Sequence, residues 1–297
     1  MDVNANLVRE LRDKTGAGIM DCKKALAESK GELEQAVVWL REKGIAQAAK
    51  RAGRVASEGS VGSYIHAGGK LGVLVEVNCE TDFVARGPDF RAFADAVAQC
   101  ALAAQPARLE ALIEARLASG ESVEERRRAL VAKLGENIGV RRFAVLVSPD
   151  QLGAYVHGTR IGALVAVKGG AASLAYDLAM HVAASNPGYL TESQVPAEVM
   201  AKEREILTEQ ARGEGKPPQI VAKMVEGRLR KALSEITLAG QPFVKDPDVS
   251  IEKLLKGAKA EVLAFERFEV GAGIEKKTGD FVAEVMIQAK GAGPVRH

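Results

Sequence analysis

The sequence lacks the features that define secreted, membrane-spanning or strongly charged proteins. Its three cysteines, Cys22, Cys79 and Cys100, are an odd number without CxxC spacing, which argues against a disulfide framework and a zinc site. No apolar run approaches the roughly 18 residues of a membrane span, and the first residues lack a basic segment followed by an apolar one. The charges nearly cancel to +2, so no overall field favours a nucleic-acid or membrane partner. We therefore expect a cytoplasmic protein with reduced, buried thiols.

Signatures of catalytic sites are also largely missing. The chain contains no GxxxxGK[ST] loop, no GxSxG elbow and no HExxH pair. His66 and His157 occupy equivalent positions beside two predicted turns, but no Cys or Asp stands at ligand spacing, which favours structural histidines over a metal pair. His181 lies among small apolar residues and is expected in a core or interface. We expect a binding protein with no catalytic residues, no cofactor and no bound metal.

The chain does contain enough apolar residues for a substantial core, since 47% of its 297 residues are hydrophobic. Residues 4–44 show three short helical patterns, which are separated by glycines at residues 15–18, at Gly31 and at Gly44. Such a small unit is marginal on its own, so a binding module and a plain N-terminal subdomain both stay open. The small, polar run at residues 56–60 predicts a linker after it.

An internal repeat organises the middle of the chain. Residues 61–80 and 152–170 each show two apolar runs around a tight turn, with Gly-x-Tyr-x-His in the first run of both copies. A helical pattern follows each copy, at residues 90–104 and 173–185. The repeat predicts an α+β fold with two duplicated antiparallel hairpin-plus-helix subdomains, each sheet covered on one face.

Further elements surround the repeat. Residues 196–212 and 218–238 are long amphipathic runs that predict an antiparallel helical hairpin, which is typical of an interaction surface or of a unit packed on the body. The remaining predictions are helices at 107–118, 122–134, 250–256 and 278–288, the second opened by a capping box at Ser122, and strands at 141–147 and 261–270.

The stretch CETDFVAR at residues 79–86 connects the second strand of the first repeat to its helix. Asp82 and Phe83 place a charged and a large apolar side chain together at an exposed corner. Threonine and aspartate are the expected residues at a helix N-cap. The residues alone therefore favour a helix cap plus a core anchor over a probe offered to a partner.

Long motifs stand in a fixed order along the chain. They are LVRELRDKTGAG at residues 7–18, MDCKKAL at 20–26, NCETDFV at 78–84, QPFVKD at 241–246 and RFEVG at 267–271. Over essentially its whole length the sequence thereby resembles the bacterial elongation factor Ts family.

The resemblance implies a definite domain layout. It consists of an N-terminal three-helix ubiquitin-associated-like module with its linker (1–55), core subdomain 1 (56–148), the first part of core subdomain 2 (149–195), an inserted antiparallel coiled-coil hairpin (196–240), the return of subdomain 2 (241–274) and a small C-terminal helical module with its tail (275–297).

The resemblance also implies a function and a site. The family binds the GTPase elongation factor Tu, in its GDP-bound and nucleotide-free forms, and promotes exchange of GDP for GTP. By matching position, Asp82 and Phe83 are assigned to dislodging magnesium, with Thr81 and Val84 shaping the wedge. This reverses the balance at the corner and predicts that Phe83 points outward in the unbound protein.

Other partner contacts are implied by position alone. They are Arg12, Ile19 and Met20 in the N-terminal module, His157 in the second copy of the repeat, and Phe281 near the C-terminus. Ile19 stands where the family more often has methionine. The resemblance requires neither nucleic acid nor a membrane, and it leaves open a homodimer or a complex of two copies with two copies of elongation factor Tu.

Two alternatives remain at this point. A ribosome- or RNA-associated protein would use Lys50, Arg51, Arg54 and Arg126 to Arg128 on phosphate. A metal-dependent phosphate enzyme would use Glu80 and Asp82.

Overall fold

The computed structural model describes residues 3–214 and 217–275. The helices are α1 (Ala5–Thr15), α2 (Ile19–Glu28), α3 (Leu33–Arg51), α4 (Asp82–Arg86), α5 (Pro88–Ala104), α6 (Leu109–Glu114), α7 (Val123–Leu134), α8 (Ala172–Ser185), α9 (Ala197–Arg212), α10 (Pro218–Ile236) and α11 (Ile251–Ala258). The strands are β1 (Glu58–Ile65), β2 (Leu71–Cys79), β3 (Gly139–Val147), β4 (Gln151–His157), β5 (Ile161–Lys168), β6 (Pro242–Phe243), β7 (Asp246–Ser250) and β8 (Glu261–Glu269). The helix predicted at residues 278–288 lies outside the described residues.

The fold is α+β, as the sequence predicts, and its sheets are small and antiparallel. One three-stranded sheet has the order β1-β2-β3 and another has the order β4-β5-β8. The short strands β6 and β7, which have no counterpart among the sequence predictions, pair with each other. We call β1 to β3 with α4 to α7 the first half, and β4, β5, β8 and α8 the second half.

The two three-stranded sheets pack face to face, and helices cover their outer faces. Val73 and Val75 of β2 join α5 in one apolar core. Leu74 lies between them in sequence, so it points to the opposite face, where it packs with Leu164 of β5. On the far side of β5, Val165 joins α8 in another core. The layers are therefore helix, sheet, sheet, helix.

The repeat extends to an irregularity in each sheet. The pairing of β2 with β3 shifts register between Glu76 and Val77, and the pairing of β5 with β8 shifts between Ala166 and Val167. These positions are equivalent in the sequence repeat. Since such a shift bends a strand locally, both sheets are bent at the same point.

A buried ion cluster joins the two sheets. Glu76 has no exposed surface, and it accepts hydrogen bonds from Arg141 (3.0 Å), Arg142 (2.5 Å) and the backbone N–H of Gly271 (2.8 Å). Burial alone would raise the pKa of Glu76, but these hydrogen bonds outweigh it and lower the pKa below its ordinary value. The guanidinium of Arg142 also stacks 4.4 Å from the ring centre of Phe268 on β8.

The prediction that Gly44 ends the third helix is wrong, because α3 continues to Arg51. A Cβ added to Gly44 would lie 3.5 Å from the Cβ of Ala132 on α7. The missing side chain therefore allows close packing of two helices and does not terminate one.

The prediction of a linker at residues 56–60 is also wrong for residues 58–60. Strand β1 begins at Glu58, and Gly59 and Ser60 are buried. A Cβ on Gly59 would lie 2.1 Å from the carbonyl oxygen of Val77, and its φ of +146° favours glycine. Small residues stand here because two strands approach closely.

The helix predicted at residues 107–118 is shorter, because α6 ends at Glu114. The chain then turns to bury Leu117 in the first core, and the N–H of Leu117 donates to the carbonyl of Glu121 at 2.8 Å. The capping box at Ser122 is confirmed, since Ser122 and Glu125 accept each other's backbone N–H groups.

Helices α9 and α10 pack together through an apolar cluster of their own, and the ion pair of Arg204 with Glu226 (3.2 Å) crosses between them.

His181 is buried as expected: its Nε2–H donates to Gln241 (3.0 Å) and its Nδ1 accepts from the N–H of Val244 (3.2 Å). No helix within the described residues is both long and apolar enough to cross a membrane.

Candidate functional site: an exposed aromatic corner

The corner, residues 79–86, forms where strand β2 ends and the short helix α4 begins. Thr81 has extended backbone angles, and its hydroxyl oxygen accepts a hydrogen bond from the N–H of Val84 at 3.4 Å. This is the N-cap that threonine is expected to supply. The capping role predicted for this stretch is therefore confirmed, and it falls to Thr81.

Phe83 is not a core anchor. Its side chain is 83% exposed, whereas Ala85 is buried and Val84 is half-buried against the first core. The expectation that Phe83 points outward in the unbound protein is confirmed. Because a phenyl ring in water forgoes a favourable burial of apolar surface, an exposed ring on an ordered corner is a candidate contact for a partner.

The Asp82 side chain is also partly exposed. Its carboxylate pairs with Arg86 one helical turn later at 2.9 Å, and its side chain is still 45% exposed. An exposed pair of this kind contributes little to stability. The carboxylate therefore stays available to another partner at small cost.

The corner is held from below by a loop that follows α7, which we call the bracket loop (Gly135, Glu136 and Asn137). Oε2 of Glu136 accepts the backbone N–H groups of Glu80 (3.1 Å) and Thr81 (3.0 Å), and Oε1 accepts the Thr81 hydroxyl (2.6 Å). In return, the carboxylate of Glu80 accepts the N–H of Asn137 at 2.6 Å. Hydrogen bonds to carboxylates are among the stronger ones, so the corner backbone is well fixed.

The bracket loop also holds the end of α3. The side-chain amide of Asn137 donates to the carbonyl oxygens of Arg54 (2.8 Å) and Ala52 (3.4 Å). Nearby, Arg51 donates to the carbonyl oxygen of Val131 at 3.0 Å. One loop therefore contacts both the corner and the N-terminal helices.

Cys79 is the buried first residue of the corner and is not a reactive thiol. Burial and the neighbouring charge of Glu136 raise the pKa of Cys79 to about 12. Its Sγ–H donates to the carbonyl oxygen of Thr81 at 3.1 Å. All three cysteines are buried and free, as expected.

Three other site residues predicted from the resemblance belong to the N-terminal helices. Ile19 and Met20 are 55% and 76% exposed at the start of α2, and Arg12 is exposed on the neighbouring α1. All three side chains are therefore accessible to a partner on these helices. Phe281 lies outside the described residues.

His157 lies in the second half, at the end of β4. Its exposed ring stacks with Tyr155, whose hydroxyl is 3.1 Å from Nδ1, and Tyr155 meets Tyr176 edge to face. His66, its counterpart in the first half, instead accepts the N–H of Gly68 within its own turn at 3.2 Å. The prediction of a structural role therefore fits His66, which bonds within its own turn, whereas the His157 ring belongs to a surface aromatic cluster.

The side chains invoked by the two alternatives are largely engaged elsewhere. Arg127 and Arg128 both pair with Glu124, and Arg126 pairs with Glu121 at 3.7 Å. These carboxylates reduce the positive charge that a phosphate backbone would meet. For the enzyme alternative, Glu80 binds the bracket loop while Asp82 pairs with Arg86, so the two carboxylates have different partners.

Sequence reasoning missed Glu136 and Asn137. Their only local signal is Gly135, which ends α7 with a φ of +81° and so predicts a turn. That the turn meets the corner depends on contacts between residues more than 50 positions apart, which no local pattern reveals.

Fold and corner together define a class of protein, an α+β protein that presents an aromatic side chain on a fixed surface corner. Residues 80–272 match the family model described as Elongation factor TS. The chain is 53% identical to the Elongation factor Ts of Methylococcus capsulatus, over 98% of this chain and 99% of that protein. It is 54% identical to the Elongation factor Ts of Halorhodospira halophila, over 98% of this chain and 99% of that protein. The chain therefore belongs to the elongation factor Ts family of translation elongation factors.

Proposed function

We propose that this protein is a guanine-nucleotide exchange factor for elongation factor Tu. It binds the GDP-bound GTPase, disturbs the magnesium and phosphate site, and promotes exchange of GDP for GTP without catalysing a chemical reaction of its own. The observation that carries the proposal is the ring of Phe83, 83% exposed on a capped and hydrogen-bonded corner in a chain of this family.

The thermodynamics of exchange define what such a corner must do. A partner can open a tight nucleotide complex only if it binds the nucleotide-free state more tightly, and nucleotide then weakens the partner to the same extent. Contacts that nucleotide needs must therefore be spoiled when the factor is bound. A corner that is already ordered loses little conformational entropy on insertion, so more of its contact energy is available for this work.

Magnesium is the sensitive point of the nucleotide complex. It demands near-octahedral geometry at short distances, so a small displacement of the groups that support it weakens its binding. We assign the displacement to Asp82 and Phe83, with Thr81 and Val84 shaping the corner that carries them. Val84 packs on the first core and Thr81 caps α4, which are supporting positions.

The remaining contacts supply affinity. Arg12, Ile19 and Met20 are exposed on α1 and α2, and His157 is exposed at the end of β4, so we assign the partner contacts to several places. Linked contacts of modest strength bind tightly because each raises the effective concentration of the next. Phe281 is proposed as a further contact from the resemblance alone.

The proposal includes the finer division of the fold. The three N-terminal helices would form the ubiquitin-associated-like module, and α9 with α10 the inserted coiled-coil hairpin between the two parts of subdomain 2. Limited proteolysis would test this division, with cleavage expected first at the exposed residues 52–55 between α3 and β1.

The deciding experiment measures release of fluorescent GDP from elongation factor Tu. We expect fast release with the unaltered protein and roughly 30-fold slower release with Asp82→Ala plus Phe83→Ala, the effect of losing an interface hot spot. Val147→Ala is the matched control, since Val147 is also a strongly exposed apolar residue, on β3.

The proposal would be contradicted if GDP were released at the same rate with the unaltered protein, with the double variant and with neither protein added. Turnover of nucleotide without elongation factor Tu would instead favour an enzyme. Binding to RNA that falls steeply with salt would favour the RNA-associated alternative.

A further inference from the structure

The backbone on which Phe83 stands depends on one distant carboxylate. The N–H groups of Glu80 and Thr81 follow the end of β2 and precede the first turn of α4, so neither sheet nor helix offers them an acceptor. Glu136 Oε2 accepts both. Without it these two donors would have to find water, and the corner would be held to the bracket loop by one remaining hydrogen bond, from the N–H of Asn137 to the Glu80 carboxylate.

Glu136 also sets the direction of the Thr81 hydroxyl. That hydroxyl has a single proton, which it donates to Glu136 Oε1 at 2.6 Å. A lone pair is then left to accept the N–H of Val84, which is the cap of α4. Because Phe83 is the second residue of α4, the direction of its ring follows from the geometry of this first turn.

Asn137 makes the corresponding contact on the other side of the bracket loop. Its side-chain amide holds the carbonyl oxygens of Ala52 and Arg54, which follow directly after α3. Helix α3 packs on α2, whose first residues are the exposed Ile19 and Met20. The same loop thus holds the base of the corner and the base of the N-terminal helices.

We propose that Glu136 and Asn137 are positioning residues for nucleotide exchange. Glu136 orients Phe83, and Asn137 orients the N-terminal contact surface, so the bracket loop fixes two partner-facing surfaces relative to each other. Two linked contacts cooperate only when their geometry allows both to engage at once. The inference rests on the proposed exchange function and adds to it the device that sets the angle between the two surfaces.

The two residues predict different kinetic effects, which can be separated with elongation factor Tu limiting and this protein in excess. The plateau rate of GDP release then reports displacement within the complex, and the half-saturating concentration reports affinity. We expect Glu136→Ala to lower the plateau rate about tenfold, because the three hydrogen bonds that position the corner are lost. The half-saturating concentration should change by less than about twofold. We expect Asn137→Ala to raise the half-saturating concentration about fivefold and to leave the plateau rate nearly unchanged.

The plateau rate separates positioning from simple loss of folded protein. An unfolded fraction reduces the active concentration but not the rate within a saturated complex, so only misplacement of the corner lowers the plateau. Circular dichroism fixes the folded fraction of each variant. Glu110→Ala, which removes an exposed glutamate from α6, is the matched control and should change neither parameter.

A second measurement needs no partner. Amide hydrogen exchange at Glu80, Thr81 and Val84 should be faster in Glu136→Ala, with the amides of β2 unchanged. Glu136→Gln should restore part of the protection, because its amide oxygen can still accept the two backbone N–H groups.

Unchanged amide exchange in Glu136→Ala, or a plateau rate equal to that of the unaltered protein, would overturn the inference alone. If the unaltered protein releases no nucleotide, the proposed function is wrong and the inference falls with it. The two failures are therefore distinguishable.

Discussion

The two halves of the core have the same order of strands and helix, but the segments that connect the central strand to the helix differ in sequence. The last residue of β2 and the four that follow are CETDF at residues 79–83, whereas the equivalent residues 169–173, which follow β5, are GGAAS. Thr81 and Ala171 occupy the same N-cap position with extended backbone angles, yet only Thr81 caps with its side chain. The duplicated frame provides a corner in both halves, and only the first half uses it to present an aromatic ring.

The halves also differ at the bend of the central strand. Glu76 in the first half is a buried carboxylate held by two arginines, and its equivalent in the second half is the buried Ala166. The sheets therefore bend alike with or without a charge. The charge in the first half instead ties β3 and the chain after β8 together, through Arg141, Arg142 and Gly271.

The largest effect on stability is expected when the buried carboxylate of Glu76, which the second half lacks, is removed. Glu76→Ala leaves Arg141 and Arg142 without their carboxylate, and removing one partner of a buried ion pair costs about 3–5 kcal/mol. Unfolding in urea, followed by circular dichroism, measures the loss. Glu76→Gln keeps hydrogen-bond acceptors and should lose less. A loss below about 1 kcal/mol in Glu76→Ala would mean that the cluster does not hold the sheets together.

The next largest effect is expected when the Thr81 side-chain cap, which the equivalent Ala171 cannot form, is removed. Thr81→Ala loses both the cap of α4 and the hydrogen bond to Glu136, which together should lower the free energy of unfolding by about 1–2 kcal/mol. Urea unfolding is again the measurement. Thr81→Ser keeps the hydroxyl and is the control. Equal stability of the alanine and serine variants would contradict a capping role.

A smaller effect of the opposite sign is expected at the equivalent position of the second half. Ala171 is exposed and already has the extended backbone of an N-cap, so Ala171→Ser should stabilise α8 by about 0.5–1 kcal/mol. A rise in the urea midpoint with an unchanged m-value would support this. No rise would mean that the approach of the chain to α8 through Gly169 and Gly170 prevents the cap.

The smallest expected effect is a dependence of stability on pH. It arises because the buried titratable groups differ between the two halves. Burial raises the pKa of Cys79 and Cys100 in the first half, so both thiols stay neutral in the folded protein at neutral pH. In the second half, burial lowers the pKa of His181 below 6.5, and the hydrogen bond to Gln241 offsets only part of this.

Because the unfolded chain binds this proton more tightly than the folded protein, His181 favours folding above pH 6.5, and its contribution is lost as the pH falls through its folded pKa. An NMR titration of the imidazole, with urea unfolding at several pH values, measures both effects. A pKa at or above 6.5 for His181 would contradict the assignment.

Local sequence patterns predicted much of this fold because the patterns and the packing agree. Near-continuous apolar runs predicted the paired strands of both repeats, and glycines or capping residues marked several helix ends. The errors at Gly44 and at residues 56–60 share one cause. Small residues were interpreted as signs of a break or of flexibility, whereas in the fold they allow α3 to approach α7 and β1 to approach β2.

The corner shows most clearly what each level decides. The sequence by itself determined where the corner lies and that Thr81 would cap it, because capping needs only residues that are neighbours along the chain. Only the tertiary structure decided that Glu136 holds the backbone of the corner, and it showed the exposure of Phe83 that the residues alone did not predict and only the family resemblance implied. Both depend on how segments distant in sequence pack. A large apolar side chain carries no local signal that says whether it will be buried. The backbone that carries Phe83 is held by the hydrogen bonds of Thr81 to Val84 and of Glu136 to Glu80 and Thr81.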